Sequence, residues 1–297
     1  MPLFRFDFHA MASPNELQIW HDDEARARQV ADAAIADVRR IEAKYSRYRE
    51  DSVTTCINRA AGGAAVAIDA ETFALLGYAD QCHRLSSGRF DITSGVLRRA
   101  WDFRRSPPRL PDAAEIAVAV ALIDWPSVEW TTHSVRLPRQ NMEIDFGGIG
   151  KEYAADRMAT ICHEGGAVHA LANLGGDIRV AGPQRDGAPW RVGISHPRLA
   201  NEVLATVELA SGALATSGDY ERSFEIDGRR YCHIIDARSG SPATHWQSVS
   251  AMAPLCVVAG SCATIAMLLE ADAEAFLSRE GLDYIAVDAT GTAHRPS

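Results

Sequence analysis

A chain of 297 residues, 47% hydrophobic and 23% charged, has the composition of a folded globular protein, which excludes a disordered, collagenous or coiled-coil one. Its 39 acidic and 30 basic side chains leave a net charge of −9. This argues against a general nucleic-acid binder or a polybasic membrane surface, so an anionic ligand would need a local arrangement of charge.

In chain order, Phe4, Phe6 and Phe8 alternate with Arg5 and Asp7, and Leu17 to Trp20 follow, which predicts paired opening strands. From Asp22 to Tyr45, apolar Ala27, Val30, Ala34, Ile35, Val38 and Ile41 recur at helical spacing between charged residues. Further helices are expected over Ala70 to Leu85, Asp112 to Leu122, Lys151 to Cys162 and Val257 to Leu277. Strands are expected over Asn141 to Asp145, Ala167 to Ala172, Trp190 to Ile194, Val203 to Leu209 and Tyr284 to Val287. Asp227-Gly228, between Ser223–Ile226 and Arg230–Ile234, reads as a hairpin turn. Helices and strands mix without a regular βα repeat, so the expected class is α+β: one domain over residues 1–297, a mixed sheet flanked by helices. RRSPPRLP at Arg104 to Pro111 interrupts the periodicity and reads as a surface loop within that domain.

The amino end, MPLFRFDFHAMASPNELQIW, lacks the apolar core of about 7–15 residues that precedes an export cleavage site. The nearly apolar stretch Val257 to Leu269 falls short of the ~18 residues a spanning helix needs. The protein is therefore expected to be cytoplasmic, with no membrane segment and no nucleic-acid partner. Its 6 cysteines form no Cys-x-x-Cys pair and fit reduced, mostly buried thiols.

Glycines cluster beside polar residues in DFGGIGKEYAAD at Asp145 to Asp156, NLGGDI at Asn173 to Ile178, and SGD at Ser217 to Asp219. The first follows a predicted strand and opens a predicted helix, so its amides could face a phosphate while Lys151 adds a positive charge; the same glycines also serve purely steric turns. In HIIDARSGSP, His233 stands three residues before Asp236 at a strand end and is the best placed candidate for a general base; a histidine satisfying backbone groups fits the same pattern.

These segments resemble, in order, the ApbE flavin transferases (FAD:protein FMN transferases) over nearly the whole chain. The resemblance rests on HAMASPNELQIW, YSRYREDSVTTCINRAAG, GRFDITSGVLRRAWDF, DFGGIGKEYAAD, NLGGDI, SGDYERSFEIDGRRYCHIIDARSGSP and the helix containing GSCAT. It implies that Met11 and Tyr48 line a flavin ring, that Arg89, Phe90 and Asp91 hold FAD, and that Asp145, Lys151 and Ile235 contact it. His233 is implied to activate an acceptor hydroxyl. The implied reaction moves FMN from FAD to a Ser or Thr of a partner flavoprotein, releasing AMP. Mg²⁺ is the implied metal, held by the carbonyl of Gly148 and by Thr264.

The chain departs from the family pattern at that metal site. Gly260 stands where the resemblance implies an aspartate, Ala263 where some members carry a second one, and Glu152 where a glycine follows the lysine. The turn Met11-Ala12-Ser13 replaces Met-Gly-Thr. Loss of the acidic ligand is expected to weaken Mg²⁺ binding unless a carboxylate such as Asp219 or Asp236 serves instead. On this reading Gly260→Asp should restore a ligand one turn before Thr264 at a stability change under about 1 kcal/mol. Three functions stay open: an active transferase, an FAD-binding protein with lost or weak transfer, and a pyrophosphatase splitting FAD into FMN and AMP.

Overall fold

The computed structural model describes residues 1–296. Eight strands form the main sheet: Leu3–Ala10, Ser13–Trp20, Ala170–Leu174, Asp177–Val180, Gly212–Gly218, Trp246–Ala253, Asp283–Asp288 and Ala293–His294. Each pairs with the next in chain order, and every pairing is antiparallel. The α+β class is as expected, with the helices inserted between strands of an antiparallel meander.

Side-chain alternation gives the sheet two covered faces. Ala170, Ala172, Ala213, Ala215 and Ala251 point into the larger core with the helices Glu24–Tyr45, Gly150–Glu164 and Cys256–Leu269. Small residues on that face let the helix backbones approach closely. On the other face Leu171, Ile178, Leu214 and Ile285 pack against Trp190, Val192 and Leu209 of the hairpin Trp190–Ser195/Val203–Leu209. The first helix starts at Asp23, whose side chain accepts from the amides of Ala25 and Arg26. Ala70–Leu85 starts at Asp69 in the same way. At Asp227-Gly228 both residues have positive φ, 53° and 73°, as a two-residue hairpin turn requires.

Several elements differ from expectation. Residues 141–145 form no strand: Met142 and Ile144 are buried, but the Ile144 amide and carbonyl bond the Asn58 side chain at 2.7 and 3.0 Å, leaving no neighbouring strand to pair with. The helix expected over Val257 to Leu277 divides into Cys256–Leu269 and Ala273–Arg279, because Glu270 takes φ of +53°. By length and composition alone the stretch Cys256–Arg279 is long and apolar enough to cross a membrane, but it is interrupted at Glu270 and 67% of its most apolar part is buried, as in a core helix. Finally, the internal strands Asp177–Val180, Gly212–Gly218 and Trp246–Ala253 have no counterpart among the strands expected from the sequence.

Candidate functional site

The glycine turn is held from several sides. Asp145 accepts from the Gly147 amide at 3.0 Å with one oxygen and pairs with Arg47 through the other. Arg47 also donates to the Tyr48 hydroxyl at 3.0 Å. The Phe90 ring lies 3.0 Å from where a Cβ on Gly148 would stand, so only glycine fits there without a shift. Arg89 pairs with Asp236, and its carbonyl accepts from the Ala237 amide at 3.0 Å. Ile235 in turn pairs with Pro242. Thus the Arg89–Phe90 segment bridges the glycine turn and the loop that carries His233.

After this turn the helix Gly150–Glu164 begins with no side chain capping its first amides. Lys151 reaches Asp177 at 2.8 Å. Burial works against its charge, but Asp177 and then Glu152 hold the ammonium above its usual pKa. The free positive charge expected of Lys151 is therefore largely matched, because Asp177 of the NLGGDI hairpin lies beside it. That hairpin turn is pressed against the first one: a Cβ on Gly175, whose φ is +59°, would meet the Ser13 Oγ at 2.8 Å and lie 3.5 Å from the Lys151 Nζ. Met11 and Ala12 both adopt left-handed backbone, φ 54° and 60°, and the Met11 amide donates to Glu42 at 2.7 Å. Left-handed backbone at two consecutive non-glycine residues is strained.

Glu152 is 8% exposed, and its Oε2 is buried without a hydrogen-bond partner. Burial first, and then the charge of Asp177, pushes its carboxyl well above the usual carboxylate range. The side chain leans on the helix Cys256–Leu269. A Cβ built on Gly260 would fall 2.5 Å from the Glu152 Cγ and 2.7 Å from its Oε1. The expected ease of Gly260→Asp is thereby overturned, since Glu152 already fills that space. One turn on, Thr264 shares a 2.7 Å hydrogen bond with Ser217. The alternative carboxylates are engaged elsewhere: Asp219 holds Arg198 through two bonds of 2.7 and 2.6 Å, and Asp236 holds Arg89 while accepting from the Arg238 amide. Asp156 accepts from the amides of Cys256 and Val257 at 2.8 and 2.9 Å and so fixes the start of the same helix.

His233 lies on this side of the molecule, close enough to feel Lys151 and Arg222. Burial first, then those charges, holds its pKa down to about 4, so the imidazole is neutral at pH 7. Its Nδ1 is buried without a partner, and Asp236 does not orient it. Asp91 is 6% exposed and turned inward; its carboxylate accepts from the Thr93 amide and hydroxyl and from the Trp125 amide, with His83 at 3.4 Å. It shapes the Arg89–Phe90 segment from behind. Tyr48 is 63% exposed, with the guanidinium groups of Arg47 and Arg104 at 5.1 and 5.2 Å from its ring. Burial would raise the phenol pKa, but the Arg47 bond and the two charges outweigh it and lower it.

Among the described residues no three His, Cys, Asp or Glu side chains converge as a metal cluster. Concavities of about 380 and 550 Å³ lie elsewhere, beside Arg99 and Val118 and beside Glu274 and Tyr284. The sequence reading missed Arg47, Asp156 and Asp177 as parts of this site. Asp177 and Asp156 both belong to glycine motifs that it singled out, which was the available signal.

The sequence pattern of the ApbE family matches residues 11–286. A Klebsiella pneumoniae (strain 342) protein named FAD:protein FMN transferase is 33% identical over 235 residues, 78% of this chain and 71% of that one. A Treponema pallidum (strain Nichols) protein of the same name is 33% identical over 254 residues, 79% of this chain and 70% of that one. The crystal structure of the ApbE protein from Thermotoga maritima superposes with a TM-score of 0.92 at 30% identity, covering 100% of this chain and 97% of that one. The flavin transferase ApbE from Vibrio cholerae shares the fold, with a TM-score of 0.89 at 23% identity over 100% of this chain and 97% of that one. The chain belongs to the ApbE family.

Proposed function

We propose that this protein transfers FMN from FAD to a Ser or Thr hydroxyl of an acceptor flavoprotein and releases AMP. The reading is supported by the family and carried by one observation. Lys151, a neutral His233 and the glycine turn with its uncapped helix start occupy the same side of the molecule, tied together through Arg89, Phe90 and Asp236.

In the reaction the acceptor oxygen forms a bond to the flavin-side phosphorus while the bond to the adenylate oxygen breaks. The hydroxyl proton passes to His233, and AMP leaves with the electron pair. Because Nδ1 is buried, Nε2 is the nitrogen left to take the proton. An imidazole with a pKa of about 4 is a weak base, but two of the effects that lower it are the charges of Arg222 and Lys151. A bound anionic diphosphate would offset both and raise the basicity of His233 when substrate is present. Lys151 and the helix-start amides would meet the phosphate oxygens, with Asp177 holding the ammonium in place. A divalent cation on the Gly148 carbonyl and the Thr264 hydroxyl would add positive charge at the leaving phosphate.

The test is incubation with FAD, Mg²⁺ and a peptide carrying Asp-x-x-[Ser/Thr]-Ala-Thr, followed by mass spectrometry. A peptide heavier by one esterified FMN supports transfer. Free FMN and AMP with unmodified peptide would indicate the pyrophosphatase, and bound but intact FAD the binding protein.

A further inference from the structure

We propose that Glu152 is the carboxylate ligand of a divalent cation at this site, reaching it from the helix Gly150–Glu164 through the notch left by Gly260. The inference rests on the transferase reading for the cation's purpose, but its structural basis is independent. A buried carboxyl oxygen without a partner is costly, and native proteins retain one where something else completes its coordination. Glu152 is such a group, 8% exposed with Oε2 unpaired. The adjacent ammonium does not satisfy it, since Lys151 reaches Asp177 instead.

The notch is matched to this side chain. With any Cβ on Gly260 at 2.5 Å from its Cγ, Glu152 and a side chain at 260 exclude each other in the present packing. Gly260 and Thr264 lie four apart on one helix, so the carboxyl meets that helix one turn from the Thr264 hydroxyl. Gly148 lies just ahead of the helix that carries Glu152. Carboxylate, hydroxyl and carbonyl oxygens form the hard donor set that Mg²⁺ takes, and Mg²⁺ accepts one carboxylate plus phosphates and water. Four other carboxylates are already engaged: Asp156 on helix amides, Asp177 on Lys151, Asp219 on Arg198 and Asp236 on Arg89.

The experiment uses Mn²⁺ as probe, with binding read by water-proton relaxation on the full chain, both without and with FAD. FAD affinity is followed separately by fluorescence. The variants are Glu152→Gln, which keeps the shape, and Glu152→Gly combined with Gly260→Asp, which returns the carboxylate to the facing helix. Glu152→Gln should weaken Mn²⁺ at least about tenfold, as expected for loss of the charged ligand. The double variant should recover most of that loss, which a purely structural glutamate would not produce. Unchanged Mn²⁺ affinity in Glu152→Gln, or no Mn²⁺ uptake by the wild type in either condition, would overturn the proposal. Mn²⁺ binding that depends on Glu152 in a protein that does not bind FAD would uphold this site and count against the transferase reading.

Discussion

Gly260→Asp should destabilise the protein by about 2–4 kcal/mol. The substitution places a Cβ 2.5 Å from the Glu152 Cγ and 3.0 Å from its Cδ, where neither helix can retreat without disturbing the shared core. Overpacking of this kind typically costs about 1–3 kcal/mol. A second carboxyl against a buried one adds repulsion of up to ~4 kcal/mol at a separation of about 4 Å. Protonation of one member would relieve much of that. Replacing a helical glycine returns only a few tenths of a kcal/mol, since aspartate is itself a modest helix former. The assay is urea unfolding at pH 7, read as a lower midpoint at unchanged slope. In the Glu152→Gly background the same change should cost less than about 1 kcal/mol, giving a coupling of about 2 kcal/mol between the sites. A cost below 1 kcal/mol in the wild-type background, with no coupling, would show that the two side chains do not compete for one space.

Wild-type protein should bind FAD more tightly than FMN in fluorescence titrations, since Lys151 and the glycine turn would hold a diphosphate that FMN lacks; equal affinities would remove the argument. Tyr48→Ala should weaken both flavins severalfold yet change stability by less than about 0.5 kcal/mol, because the ring is 63% exposed; unaltered flavin affinity would exclude stacking. The contribution of His233 to stability should fall as pH drops from 6.5 toward 4, because the unfolded imidazole takes up a proton while the folded one, held near 4, does not; buried Glu152, whose carboxyl is raised, works in the opposite direction, so the contribution is read against a His233→Gln reference. That contribution is on the order of 3 kcal/mol, read as a stability difference between wild type and His233→Gln that changes by this amount between pH 6.5 and 4; a difference independent of pH would refute it.

The fold was legible where one face of an element meets water. Phe4, Phe6 and Phe8 alternate visibly, and Asp69 before Ala70–Leu85 marks a helix start. Trp246–Ala253 was not legible, because seven of its eight residues are buried and serines and alanines fill both faces, so no alternation remains. The break at Glu270 carries no glycine or proline to announce it. At the site, Gly260 and Glu152 were each readable as departures from a pattern. That one fills the space of the other is a contact between two helices, and no local spacing encodes it. Likewise the pairing of Lys151 with Asp177 depends on a hairpin folding beside the helix start.

Flavin transfer by this protein is tested by the ratio of AMP released to flavin covalently held by an acceptor, followed in one reaction with FAD and Mg²⁺. Transfer predicts one AMP for each esterified flavin, a rate that His233→Ala lowers by about 10²-fold, and FAD binding that the same variant leaves nearly intact. AMP released together with free FMN at the same rate with or without acceptor, or no AMP from a protein saturated with FAD, would contradict it.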